Sequence, residues 1–467
     1  MSLTKVTNSM IAGAAINVLD KGAVSGGSAA TNTAAFLAAI TDAVAAKGSV
    51  VVPDGTYALT AGTNFLLGRD VALIGIGTPI LNFSAGVGVG FKLDAGGSGA
   101  NYRGIRIENF IIVGGVNITD GFYSCGLVGG VFKNIEVREC SSVGFNLKFS
   151  ITCTYENCRV SNDSLAMTTR PATYFQLGND GTYGNRCQDN TFISCDASGT
   201  GAAAVDTSTG WHLMDSSVNT WIGGTSESMG TGILIDAISV GVVSNRLNTL
   251  INMDIEDCTT YGLIDYGTNN TYIGMDFASS IDMFGDGATF SGGSIGSITL
   301  EATSSNTSFH GVGLDSGTGI TAVVGATYSR YGCFTTDATG SWVAALADRG
   351  IGYLSASAAG IGYAVGVGGN VNQGTSRTTG VTINNICGAI TLFAAAGSAT
   401  WQSFTVTNST VVATDTIIIN QQAGADLYIV QITNVSAGSF RVSFATTGGV
   451  TIETPTFSFA VIKSVFA

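Results

Sequence analysis

Charge, proline and histidine are scarce in this chain. Of 467 residues only 11% are charged, 4 are proline and 2 are histidine. There is no run of 18 apolar residues and no basic leader into an apolar stretch. Neither a membrane span nor a signal peptide is therefore expected, which fits a protein made in a cytoplasm. Basic residues are outnumbered, giving a net charge of -13, and a chain without a basic stripe is not expected to bind nucleic acid. The histidines, His212 and His310, sit in no Ser/His/Asp or HExxH pattern, so a hydrolytic triad and a zinc protease are both disfavoured. The nine cysteines show no CxxC or Cys/His spacing. They read as small buried thiols rather than disulfide or metal ligands, and neither metal nor cofactor is expected.

What is abundant is glycine, 65 residues, alongside 45% hydrophobic residues. That pairing argues against disorder and for a tightly stacked β-rich body. The length allows two or three ordinary domains or one elongated one. Charge is also uneven. From Val371 onward Arg377, Arg441 and Lys463 balance Asp415, Asp426 and Glu453, so the excess acid lies earlier and a domain boundary falls near this point.

A tetrapeptide recurs: NTFI at Asn190, NTWI at Asn219, NTLI at Asn248 and NTYI at Asn270. Weaker copies lie at Asn109, Asn134, Asn157, Ala288 and Asn306. The intervals are 25, 23, 33, 29, 29, 22, 18 and 18 residues, the range of a solenoid with loop insertions. β-branched, alternating residues follow each marker without helical periodicity, so each repeat reads as one coil of a parallel β-helix.

With the marker counted as zero, positions three, five and seven (Ile251, Met253, Ile255 in one copy) are expected to face the core. Alternation then turns position two outward, giving a row of Phe192, Trp221, Leu250, Tyr272 and Phe290. Positions six and eight also face out. They bring Asp254 and Glu256 of the stretch MDIEDC beside Asp276 and Glu227 of the neighbouring coils, because stacked strands lie ~4.8 Å apart. Carboxylates held that close raise at least one pKa and supply the acid and the base or nucleophile of glycoside hydrolysis. Glu256 is the expected acid, with Asp254, Asp276 and Glu227 around it; Trp221, Tyr272, Phe192 and Asn252 are the expected substrate contacts. Asp163, Asp206, Asp215 and Asp236, in or near the insertions between 160 and 245, are alternative carboxylates. Were the reaction an elimination, Tyr272 or His310 would be the base.

Three N-terminal segments, NVLDKGA (17–23), TNTAAFLAAITDAVAAKG (31–48) and VVVPDGTY (50–57), together resemble the opening region of phage tailspikes and pectate-lyase-like β-helix proteins. Thr31 or Asn32 is expected to cap the helix, with Phe36, Ile40 and Val44 on one face and Gly48 at its end. The helix would plug the open end of the solenoid. The sequence departs from the pattern at VSGGSAATN, where the family usually has an Asp-rich loop. Toward the C-terminus, SFTVTN, DTIIIN, LYIVQITNV and SFRVSFATT are short alternating strands, and TSRTTGVTINNICGAITL with FSFAVIKSVFA resembles the β-sandwich cap of phage tail proteins. The apolar last strand is expected to be buried between subunits.

The expected architecture is thus all-β: a right-handed parallel β-helix with an N-terminal capping helix and a C-terminal β-sandwich, assembled as a homotrimer. The divisions are 1–60 cap, 61–315 β-helix, 316–370 glycine-rich connection and 371–467 sandwich for trimerisation or sugar binding. The resemblance implies a virion protein, synthesised in the host cytoplasm, that binds and depolymerises a bacterial capsule or O-antigen. Docking on the tail would need an adaptor or a region missing from this chain, since only about sixteen residues precede NVLD. A non-catalytic adhesin and a polysaccharide lyase of the same fold are the alternatives. A secreted pectate-lyase-like enzyme is disfavoured by the missing leader.

Overall fold

A computed structural model describes residues 15–96, 102–161, 169–178, 186–199, 207–236, 245–314, 319–331, 333–336, 342–344, 367–447, 449 and 452–463. The chain divides into two compact units, Met1–Leu346 and Ala347–Ala467.

The first unit is a parallel β-helix. Each coil contributes short strands to a 24-stranded sheet and to a 13-stranded sheet, with like positions of successive coils in register. In one column Tyr155, Phe192, Trp221, Leu250, Tyr272 and Phe290 are successive partners. Strand pairing starts at Ile16 and Asn17, partners of Val50 and Val51, and continues to Phe334 and Thr335. The coil stack therefore overruns the expected limits of 61 and 315 at both ends, because the cap sequence itself supplies the first coil.

The column of aromatics corrects the expected register. Phe192, Trp221 and Tyr272 are buried in the core, stacked at 4.9 Å between Tyr155 and Phe192, 5.0 Å between Phe192 and Trp221, and 4.6 Å between Tyr272 and Phe290. Each such pair contributes about 0.5–1.5 kcal/mol beyond its buried area. Position three is the outward one, with Ile222 43% and Ile273 38% exposed. The cause is position four. Ser194, Gly223, Asn252, Gly274 and Gly292 all have left-handed backbone, φ between 49° and 65°, a conformation that Gly and Asn adopt readily. That residue turns a corner and restarts the alternation, so positions two and five both face inward.

The repeat marker is itself structural. Asn190, Asn219, Asn248 and Asn270 are buried, and each Oδ1 accepts from the amide of the preceding coil: Asn190 Nδ2 to Asn219 2.9 Å, Asn219 Nδ2 to Asn248 3.2 Å, Asn248 Nδ2 to Asn270 3.3 Å. The backbone N–H groups of Asn190, Asn219 and Asn248 join the same ladder at 3.0–3.1 Å, an interior version of the amide ladders of stacked parallel strands. Asp265 terminates it, accepting from Asn270 Nδ2, Gly267 N–H and Tyr272 Oη. Ala288 aligns with Asn270, but the other weaker copies mark other places. Asn109, Asn134 and Asn157 occupy the left-handed corner and form a separate outer ladder, at 2.8 and 3.2 Å. Asn306 precedes the true equivalent, Thr307, by one residue.

The helix Ala29–Ala46 closes the start of the stack. Its N-cap is Ser28, whose Oγ accepts from Thr31 N–H; Thr31 and Asn32 lie within the first turn, and Asn32 Oδ1 accepts instead from Val24 N–H at 2.8 Å. Ala35, Phe36, Ala39, Ile40 and Ala43 join the coil core, with Phe36 edge-on to Tyr57 at 5.7 Å. Val44, placed on that face from sequence, is exposed because Ala43 takes the inward position. By length and composition alone this helix could cross a bilayer; its apolar face is occupied by the coil core.

The second unit is a β-sandwich of two four-stranded sheets around its own core, including Ile390, Phe404, Phe440, Phe444, Phe457 and Phe459. The strand Thr456–Ile462 lies between Cys387–Thr391 and Thr416–Ala423. Its Phe457, Phe459 and Val461 fill the core of the same chain, which corrects the expected burial between subunits: a central strand has its apolar side satisfied at home.

Candidate active site

The outward row at position six comes from strands that follow the left-handed corner. Asp196, Thr225, Asp254 and Asp276 are successive partners on adjacent coils, and one outward step further Ser198, Glu227 and Glu256 pair in the same way. Ile255 and Phe277, between or beside these acids, point into the core and anchor the strands. Asp254, Glu256 and Asp276 are exposed and Glu227 is half-buried. The four acids proposed from sequence thus share one face, Asp254 against Asp276 and Glu227 against Glu256.

The electrostatics follow from that crowding. Asp254, first among the causes, then partial desolvation, then Asp257, Glu227 and Asp276 hold Glu256 above the usual carboxylate range. At the start of the row, burial raises Asp196 against the opposing hydrogen bonds from Thr225. Asp257, which sequence reasoning left out of the cluster, stands at the next corner with φ 51°.

Of the expected substrate contacts, only Asn252 is on the surface, at the corner between the Ile222–Ile251–Ile273 row and the acids. Phe192, Trp221 and Tyr272 are core residues, and the outward aliphatic row stands where the aromatics were expected. Tyr272 is also excluded as an eliminating base, because its hydroxyl donates to buried Asp265 at 2.7 Å. His310 is exposed at the end of the strand Thr307–His310.

Among the alternative acids, Asp215 is buried with Arg186 Nε 3.9 Å away, and Asp236 is 3.3 Å from His212 Nε2. Asp163 and Asp206 lie outside the described residues. The nine cysteines are free thiols, seven of them buried, in line with their expected packing role. Among the described residues no group of three His, Cys, Asp or Glu side chains could hold a metal ion.

No protein-family profile and no curated protein matches the sequence. Among solved structures the chain is similar to the tailspike of E. coli bacteriophage HK620 in complex with a pentasaccharide, at 11% identity over 96% of this chain and 94% of that one, with a TM-score of 0.47. It is also similar to the A-module of Azotobacter vinelandii mannuronan C-5 epimerase AlgE6, at 18% identity over 69% and 99%, TM-score 0.48. The tailspike of Acinetobacter phage vB_ApiP_P1 covers 96% of this chain and 87% of its own at 12% identity, TM-score 0.42.

Proposed function

We propose that this chain is a phage tailspike that binds a bacterial surface polysaccharide on its coil wall and cleaves it by glycoside hydrolysis. The observation that carries the reading is the convergence of four carboxylates on Glu256, which favours its protonated form on an open face. Glu256 gives its proton to the glycosidic oxygen. Asp254 or Asp276, beside it, attacks the anomeric carbon or takes a proton from the attacking water. Asn252 and the Ile222–Ile251–Ile273 row hold the sugar through a hydrogen bond and apolar contact. The N-terminal resemblance supplies the setting: a trimeric spike of a phage tail.

The test is incubation of purified protein with capsule and lipopolysaccharide from a panel of Gram-negative hosts, following reducing ends and the ultraviolet absorbance of unsaturated products. Reducing ends without absorbance are expected, with Glu256→Gln lowering the rate by about 10²–10⁴-fold. Asp254→Asn removes the strongest like charge: with Asp276 as nucleophile or base the alkaline limb of the pH–rate profile should move to lower pH, and with Asp254 in that role activity is lost as in Glu256→Gln. Full activity in Glu256→Gln would end the proposal. One observation favours a non-catalytic adhesin as the second reading: the acids lie on an open wall, where water screens their mutual effect. Binding without either product signal would establish it.

A further inference from the structure

The wall that carries the acid rows changes character along the coil stack. Its outward columns can be followed through the strand pairing from Arg106 to Ser308. In the earlier coils they hold charges of both signs, neutralised in the pairs Arg106–Glu108, Lys133–Glu156 at 2.6 Å and Arg159–Glu136 at 3.0 Å. From Asp196, the partner of Arg159, the charges on the same columns are all acids: Asp196, Glu227, Asp254, Glu256 and Asp276.

The sequence holds no base to offset them. Between Cys187 and Ser329 there are fifteen acids and one base, Arg246, an excess greater than the net charge of -13 of the whole chain. Arg246 bridges Ser217 and Thr268 in a separate column and comes before the left-handed corner at Leu247, φ 56°, so it lies on the neighbouring face. Strands ~4.8 Å apart put each acid within about 8 Å of its neighbours and of anything laid across them, the distance over which charges act with little screening at physiological salt. A carboxylate, sulfate or phosphate on a bound polymer would meet several fixed negative charges at once.

Beside the acids the wall is neutral and regular. Thr191, Thr220, Thr249, Thr271 and Thr289 are successive partners and half-buried, and two residues along each strand Ile193, Ile222, Ile251 and Ile273 stand on the same face. Each of these coils offers one hydroxyl, able to donate and to accept, next to one apolar side chain. Uncharged sugar rings present the complementary surfaces, a hydroxyl rim and a C–H face, and five coils span about 19 Å.

We propose that the site takes an uncharged polysaccharide and rejects anionic ones, with Asp196, Glu227 and Asp276 setting the selectivity and the threonine and isoleucine columns holding the chain of sugars. This rests on the preceding reading for the place of the site and adds its substrate class.

The test is an array of capsule and O-antigen polysaccharides of known composition, sorted into uncharged and uronate-, sulfate- or phosphate-bearing, probed with the full chain and with Glu256→Gln to hold the glycan uncleaved. The bound polymers are expected to be uncharged, with affinities at low and high salt within about twofold of each other. Ser198→Lys and Ser294→Lys place a cation at either end of the acid rows, on residues paired with Glu227 and Asp276. In low salt each is expected to tighten binding of the anionic polymers about tenfold, and high salt to abolish the gain; thermal melting checks that both variants are folded. Preference of the unaltered chain for an anionic polymer, or no gain from either lysine, would overturn the proposal and leave the hydrolase reading standing. An uncharged polymer that is bound and not cleaved would keep the proposal and establish the adhesin. Binding of neither class would end both.

Discussion

The two units build their cores by opposite rules. In the coil stack like lies on like: asparagine on asparagine, ring on ring, acid beside acid, each one coil from the next. In the sandwich unlike groups are matched, and a single buried cation illustrates it. Arg377 donates to Phe393 O at 3.1 Å, Glu453 O at 2.8 Å and Tyr428 Oη at 2.7 Å, and Tyr428 Oη in turn donates to Glu453 Oε1 at 3.0 Å. Stacking like on like makes each position a ladder, so uncharged rungs support one another while charged rungs repel. The interior ladders are therefore amide and aromatic, and the stacked carboxylate rows stay at the surface, where the neighbouring acids raise the pKa of Glu256.

The sharpest test of the ladder rule compares two adjacent residues. Trp221→Ala is expected to cost about 3–5 kcal/mol, since it leaves a cavity between Phe192 and Leu250 of the adjacent coils, whereas its outward neighbour Ile222→Ala should cost under about 0.5 kcal/mol; urea unfolding of the two variants measures both. The reverse order would restore the simple alternation expected from sequence. In the sandwich Arg377→Met should cost about 3 kcal/mol by leaving several buried acceptors unpaired, with the loss confined to that unit's transition.

Asn219→Ala breaks one rung of the amide ladder and is expected to cost about 2 kcal/mol, read from the coil transition in the same experiment. The last rung has a pH signature. Burial raises Asp265 above the usual carboxylate range against the hydrogen bonds from Tyr272, Gly267 and Asn270. A raised folded-state pKa means that the stability linked to this proton is present in full below the ordinary aspartate range and is lost as pH rises through the raised value. Asp265→Asn should flatten that part of the stability–pH profile. An unaltered slope would show that the ladder ends without a proton.

The opening helix, the repeat period and the acid face were legible in the sequence because each depends on spacing along one chain. So was the signal that was missed. Ser194, Gly223, Asn252, Gly274 and Gly292 recur four residues after each marker or its equivalent, and a column of Gly, Asn and Ser is what a left-handed corner needs. Read as ordinary strand, it put Phe192, Trp221 and Tyr272 on the wrong side. The ion pairs that neutralise the wall before Asp196 had no comparable signal: Lys133 and Glu156, and Arg159 and Glu136, lie on separate coils and meet only when those coils stack.

Sequence alone determined the period, the number of chemical rows and the excess of acid in the coil unit, since these follow from residue order and composition. Tertiary structure decided the phase, which rows are core and which are surface, because a side chain's direction depends on the backbone angle at the corner before it. It also decided which polar groups find partners, because those partners lie one coil away in space and some twenty to forty residues away along the chain.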